Sequence, residues 1–257
     1  MWNSLRTDAP AGLLAGVTSY RAGNGDLVHA YVARPEGPGP YPGVVLAHHM
    51  PGWDELYREF ARRFADHGYT AICPDLYCRT GHGDPDDVAA AARAAGGASD
   101  DLVVADLVAA RDWLRALPTA SGKVGVFGTC SGGRHALLAA SKAGGFDAVA
   151  DLWGGGVVAE PDELTPQRPV PVLDYTAGLD APLLGLFGDQ DQYPKPELVD
   201  RHEEELRKFG KEYEFHRYAG AGHGFFYYNR AAYRPESAMD GWAKVLAFFG
   251  RHLSTGS

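Results

Sequence analysis

Apolar residues along the chain follow two alternating patterns. In five short runs nearly every residue is apolar, aromatic, β-branched or glycine: 43–47, 69–73, 124–128, 148–153 and 183–187. Such runs predict strands buried on both faces of a sheet. Residues 27–34, closed by Pro35 and a Gly/Pro-rich turn to Pro42, and residues 213–218 predict two more. Between the strands the spacing changes to three and four. Leu56, Phe60 and Phe64 share one helical face, as do Val103, Leu107, Ala110, Leu114 and Leu117, and then Met239, Trp242, Leu246 and Phe249. Residues 196–209 predict a further helix. Asp54 suits an N-cap, Gly68 a stop, and Asp100 and Asp101 the positive end of their helix, which Pro118 closes. Residues 75–97 mix loop with an alanine-rich helical stretch, and 161–182 are Pro-rich with little periodicity, a long loop or a lid. Strands alternating with helices predict an α/β fold: a mostly parallel central sheet with helices on both faces, as one domain over residues 1–257, with function at the carboxyl ends of the strands.

One such end carries the most specific chemistry. The strand at 124–128 runs into Gly128-Thr129-Cys130-Ser131-Gly132 and then an alanine-rich helical stretch. Flanking glycines permit a sharp strand-to-helix corner that pushes one side chain outward, and a helix starting behind Cys130 favours its thiolate form. A cysteine between glycines can also be a small buried apolar residue. A nucleophilic thiol needs a base and a group to orient that base. His223, in a glycine-rich loop after the 213–218 strand, is the candidate base. Asp191, in Gly188-Asp189-Gln190-Asp191 after the 183–187 strand, is the candidate acid, with Asp189 as runner-up and a turn role open to both. Ser131 lacks the first glycine of the corner motif and is expected to supply a backbone N–H. Nucleophile, acid and histidine in that order is the order of the α/β-hydrolase triad.

Composition narrows the partners. Twenty-four Lys+Arg against 33 Asp+Glu give a net charge of −9, which opposes nucleic acid and anionic membranes. Cys73, Cys78 and Cys130 form no paired framework, which suits a reducing cytosol, and residues 1–17 are too broken for a signal peptide or a span. A cytoplasmic protein is expected. His48-His49 are sequence neighbours on an extended segment, unlike a zinc-binding helical pair, and no Gly-rich phosphate motif follows a strand. No metal and no cofactor are expected.

The elbow at Cys130, the Gly-x-x-Asp ending at Asp191, and Ala221-Gly222-His223-Gly224-Phe225-Phe226 followed by Tyr233 and Trp242 together resemble the dienelactone hydrolase family over roughly residues 27–253. The resemblance implies an α/β-hydrolase with a Cys-Asp-His triad, acting on a small-molecule ester or lactone (carboxymethylenebutenolidase type) through a Cys130 acyl-enzyme. It implies an oxyanion hole from the N–H groups of Ser131 and about Met50. A glutamate that helps ionise the thiol in the best-studied type falls here at His49. Arg79, Arg134 and Arg230 are candidates for the family's carboxylate-binding arginines, and Trp53, Trp153, Phe225 and Tyr227 for the pocket wall or the core. A broader carboxylesterase or thioesterase, or a non-catalytic binder of a small ligand, are the alternatives, and monomer and homodimer stay open.

Overall fold

The computed structural model describes residues 12–81 and 83–254. Eight strands form one sheet: β1 (Leu13–Arg21), β2 (Leu27–Pro35), β3 (Tyr41–Ala47), β4 (Thr70–Pro74), β5 (Ala120–Thr129), β6 (Ala148–Leu152), β7 (Leu183–Gly188) and β8 (Tyr213–Tyr218), in the order β1-β2-β4-β3-β5-β6-β7-β8. β2 pairs antiparallel with β1 and with β4, and the other neighbours pair in parallel. The helices are α1 (Glu55–Asp66), α2 (Pro85–Ala94), α3 (Asp100–Arg115), α4 (Ser131–Ala143), α5 (Pro196–Lys208) and α6 (Pro235–Leu253).

Successive side chains of a strand face opposite ways, so a continuous apolar run feeds two cores. Val44 and Leu46 of β3 and Phe127 of β5 join Phe60 and Phe64 of α1 and Trp242 and Phe249 of α6 on one face. Val45, Ala47 and Val126 join Leu107 and Leu114 of α3 and Leu137 of α4 on the other. On the first face Phe127 stacks on Trp242 with ring centroids 5.6 Å apart.

The sequence-based boundaries hold to within a few residues, with two differences. β1 was not foreseen: as an edge strand paired only with β2 it leaves Leu14 and Val17 exposed, so it lacks the alternation that betrays a half-buried strand. Residues 1–11, which carry most of the segment read as no signal peptide, lie outside the described residues. The 161–182 stretch contains two 3-10 turns, Pro161–Glu163 and Val172–Gly178, and is tied to α3 where Asp100 N–H donates to the Gln167 carbonyl at 2.9 Å. None of the described helices is long and apolar enough to cross a membrane.

Candidate active site

The parallel strands share one direction, so the residues following β3, β5, β7 and β8 all lie at one edge of the sheet. Cys130 stands there between β5 and α4 with φ 56° and ψ −127°, a left-handed conformation that L residues seldom adopt. The corner is held by hydrogen bonds: Cys130 N–H donates to Leu152 O at 3.0 Å, and Cys130 O accepts from Gly133 N–H at 3.0 Å. A Cβ on Gly128 would collide with the Gly132 carbonyl, and one on Gly132 with the carbonyls of Ala47 and His48. The glycines therefore let the end of β3 lie against the start of α4. That contact places the loop holding Met50 beside the N-terminus of α4, whose first residue is Ser131. The Ser131 hydroxyl is buried without a partner among the described residues.

Beneath the corner is a row of hydroxyls. Thr129 N–H donates to Tyr57 Oη at 3.0 Å, and Thr129 Oγ1 lies 2.8 Å from Tyr57 Oη and 2.7 Å from Tyr227 Oη. Tyr227 and Tyr57 are core residues, as are Trp153 and Phe225, whose rings pack at 4.7 Å.

His223 is held by Asp191, whose Oδ2 and Oδ1 lie 3.0 and 3.2 Å from Nδ1. The same carboxylate accepts Tyr193 N–H at 2.8 Å, so its direction is fixed from two sides. Asp191 is 1% exposed and the His223 side chain 36%. Burial disfavours the imidazolium, but the Asp191 hydrogen bond and then the adjoining Cys130 thiol outweigh it and raise the His223 pKa to about 10. His223 thus lies within electrostatic reach of both Asp191 and Cys130. Asp189, the runner-up acid, instead accepts Gly220 N–H at 2.8 Å in a turn.

His49 is buried at the end of the β3 loop, its Nε2 2.8 Å from Asp54 Oδ2 and its ring 4.9 Å from Tyr57 and 5.1 Å from Tyr227. Asp54 was foreseen only as an N-cap, and its Oδ1 does accept Tyr57 N–H at 3.1 Å. Burial raises its carboxyl pKa, but the hydrogen bond to His49 leads the effects that bring it below the usual range.

Two of the three arginine candidates are not brought to the thiol as free cations. Arg79 forms a two-pronged pair with Asp106 at 2.8 and 2.9 Å and another with Asp26, and Arg134 does the same with Asp100 at 2.6 and 2.8 Å. Both guanidinium forks are taken up by structural carboxylates. Arg230 is exposed. Another arginine paired with no carboxylate among the described residues is Arg168, which sequence reading missed because it lies in the aperiodic 161–182 stretch. It is half-buried, its Nε has no partner among the described residues, and its guanidinium lies over Gly97. Burial and then the nearby Arg134 lower its pKa, as expected of an uncompensated cation. The phenols of Tyr77 and Tyr193 are within electrostatic reach of both Arg168 and Cys130. Tyr77 also donates to the Met50 carbonyl at 3.2 Å and, with Trp53 and Arg58, lines a cavity of about 220 Å³. Among the described residues no cluster of His, Cys, Asp and Glu suits a metal ion.

The chain matches the model of the Dienelactone hydrolase family over residues 28–253. It is 33% identical to a candidate carboxymethylenebutenolidase of Methylorubrum extorquens, over 97% of this chain and 84% of that protein. It is 29% identical to a candidate 2-oxo-3-(5-oxofuran-2-ylidene)propanoate lactonase of a Bradyrhizobium species, over 90% and 92% of the two chains. The crystal structure of a candidate dienelactone hydrolase from Klebsiella pneumoniae superposes with a TM-score of 0.84 at 32% identity, covering 93% of this chain and 99% of that one.

Proposed function

Because the chain belongs to the dienelactone hydrolase family and has the α/β-hydrolase fold, we propose that it hydrolyses small esters or lactones through a Cys130 acyl-enzyme. The observation that carries this reading is the strained corner of Cys130, set beside an imidazole that Asp191 fixes at 3.0 Å. The thiolate adds to the carbonyl carbon, and the carbonyl π electrons move to an oxygen facing the N–H groups of Ser131 and Met50. Collapse breaks the C–O bond. The leaving alkoxide takes the proton of the His223 imidazolium; in a lactone it remains attached to the acyl chain. The neutral imidazole then removes a proton from water, hydroxide displaces the sulfur, and the acid and the thiolate are released with His223 again charged.

Arg168 supports an anionic substrate. A half-buried cation without a carboxylate, sharing Tyr77 and Tyr193 as neighbours with Cys130, favours a ligand that brings its own negative charge. The Bradyrhizobium relative is named for a lactone that is also a carboxylate.

A panel of carboxylate-bearing lactones, neutral aryl esters and acyl thioesters tests both parts. Cys130→Ala should abolish turnover of every active member. Arg168→Gln should raise KM for the carboxylate lactone roughly 10- to 100-fold, the range of a lost charged hydrogen bond, with little change in kcat or in the neutral esters. Full turnover by Cys130→Ala refutes the nucleophile, and an equal loss on neutral and charged substrates refutes the role of Arg168.

A further inference from the structure

A cavity of about 220 Å³ lies where the start of α1, the loop after β4 and the start of α2 meet. Trp53, Arg58, Asp75, Tyr77 and Val88 line it, and none of Cys130, Ser131, Asp191 and His223 does. Arg58 is half-buried on α1, with its guanidinium 4.7 Å from the centroid of the Trp53 ring. Its Nε and the Trp53 indole N–H are both buried without an acceptor, and Arg58 joins no ion pair, among the described residues. Asp75, also half-buried, accepts the Tyr77 N–H at 3.0 Å through one carboxylate oxygen and likewise joins no ion pair among the described residues.

A cation and an anion thus share one small space without pairing with each other. Half-buried charges left in this way favour a ligand that answers both, with an anionic acceptor at one end and a donor at the other. An anion without a donor meets the Asp75 carboxylate unrelieved, and an alcohol leaves Arg58 without a counter-charge. The walls add a shape: the rings of Trp53 and Tyr77 are flat, and Val88 is apolar. An apolar cavity of about 150 Å³ takes up benzene, so this one has room for a single ring with two small substituents.

We propose that this cavity is a second ligand site, separate from the thiol, which takes a flat one-ring hydroxy acid with its carboxylate on Arg58 and its hydroxyl donating to Asp75. Opening a lactone leaves a carboxylate and a hydroxyl on one molecule, so the ligand has the chemistry of a product of the hydrolysis proposed above. That origin rests on the lactone reading, whereas the ligand class rests on the cavity alone. The site adjoins the catalytic loop, because Tyr77 in its wall donates to the Met50 carbonyl at 3.2 Å. A product held here lies against the loop whose Met50 N–H is assigned to the oxyanion.

The test is calorimetric titration of the full-length chain at neutral pH with 2-(hydroxymethyl)benzoate, the ring-opened form of the lactone phthalide. The parent should bind it saturably. 2-Methylbenzoate, which lacks the donor, and 2-methylbenzyl alcohol, which lacks the carboxylate, should each bind roughly tenfold more weakly, the scale of one lost hydrogen bond to a charged group. Arg58→Gln should weaken the hydroxy acid by about the same factor, and Arg168→Gln should leave it unchanged. Asp75→Asn still accepts the Tyr77 N–H but removes the negative charge, so it should bring 2-methylbenzoate level with the hydroxy acid. The three ligands on the parent decide the matter even where a variant fails to fold. Equal binding of all three, or no saturable binding, refutes the site. Loss in Arg168→Gln with retention in Arg58→Gln places the ligand beside the thiol and refutes it as well. No turnover is read, so failure here leaves the Cys130 assignment standing, and failure of that assignment leaves this titration unchanged.

Discussion

Two Asp–His pairs lie in the loops that follow the sheet's strands, and they are built alike but sealed in opposite senses. In each, one carboxylate oxygen accepts a nearby backbone N–H, Tyr193 for Asp191 and Tyr57 for Asp54, and the imidazole is bound by the carboxylate. In the first pair the carboxylate is 1% exposed and the imidazole side chain 36%; in the second the imidazole is 3% and the carboxylate 22%. The held nitrogen differs as well, Nδ1 in His223 and Nε2 in His49. An imidazole with an open face can meet substrate and water, whereas a sealed one can only exchange protons with neighbours inside the protein. The same two residue types thus leave one imidazole open to substrate and water and enclose the other within the protein.

The largest expected effect breaks the comparison most directly. On an activated ester, His223→Gln should lower kcat/KM by roughly 10⁴-fold, the scale of losing a triad member, and His49→Gln by only about tenfold near neutral pH. Equal losses would mean that the two pairs are not functionally distinct. The pH profile sharpens the contrast. His223 with its pKa raised to about 10 supplies its proton below that value, so kcat/KM of the parent should fall as pH rises through about 10. Asp191→Asn removes the leading cause of the increase, and the residual activity should fall at lower pH than in the parent. An unmoved alkaline limb would show that Asp191 does not govern the imidazole.

The smallest expected effect concerns a carboxylate with no imidazole. Asp151 is fully buried, accepts Gly154 N–H at 2.8 Å through Oδ1 and leaves Oδ2 unpartnered. Burial pushes its pKa up to about 7, against the Gly154 hydrogen bond. The folded chain then holds this proton over a range where the unfolded chain, with an ordinary carboxyl near 3.9, has lost it. Stability falls as pH rises from about 4 to about 7 and the penalty persists above that. Asp151→Asn should therefore raise Tm relative to the parent most at alkaline pH, with the gain shrinking toward pH ~4. A pH-independent difference would contradict this.

Much of the geometry around Cys130 was legible in the sequence because it depends on local rules. Gly128 and Gly132 mark the corner through backbone contacts that a Cβ would violate, and the predicted strand ends, with the Gly-x-x-Asp and glycine-rich histidine loops that follow them, put Asp191 and His223 at the same edge as Cys130. β1 was not legible because its exposed face erases the alternation. Arg168 was hidden in an aperiodic stretch, while Arg79 and Arg134 stood out as charges whose partners, Asp106 and Asp100, are remote in sequence. Asp54 was read as a cap, and only the folded loop revealed that its second oxygen meets His49.

The central claim is a covalent bond between substrate and Cys130. Acid quenching during turnover of a slowly released aryl ester, followed by peptide mapping, should show the acyl mass on the peptide containing Cys130 and no adduct in Cys130→Ala. An acyl group on another residue, or sustained turnover by a chain lacking the thiol, would contradict the account.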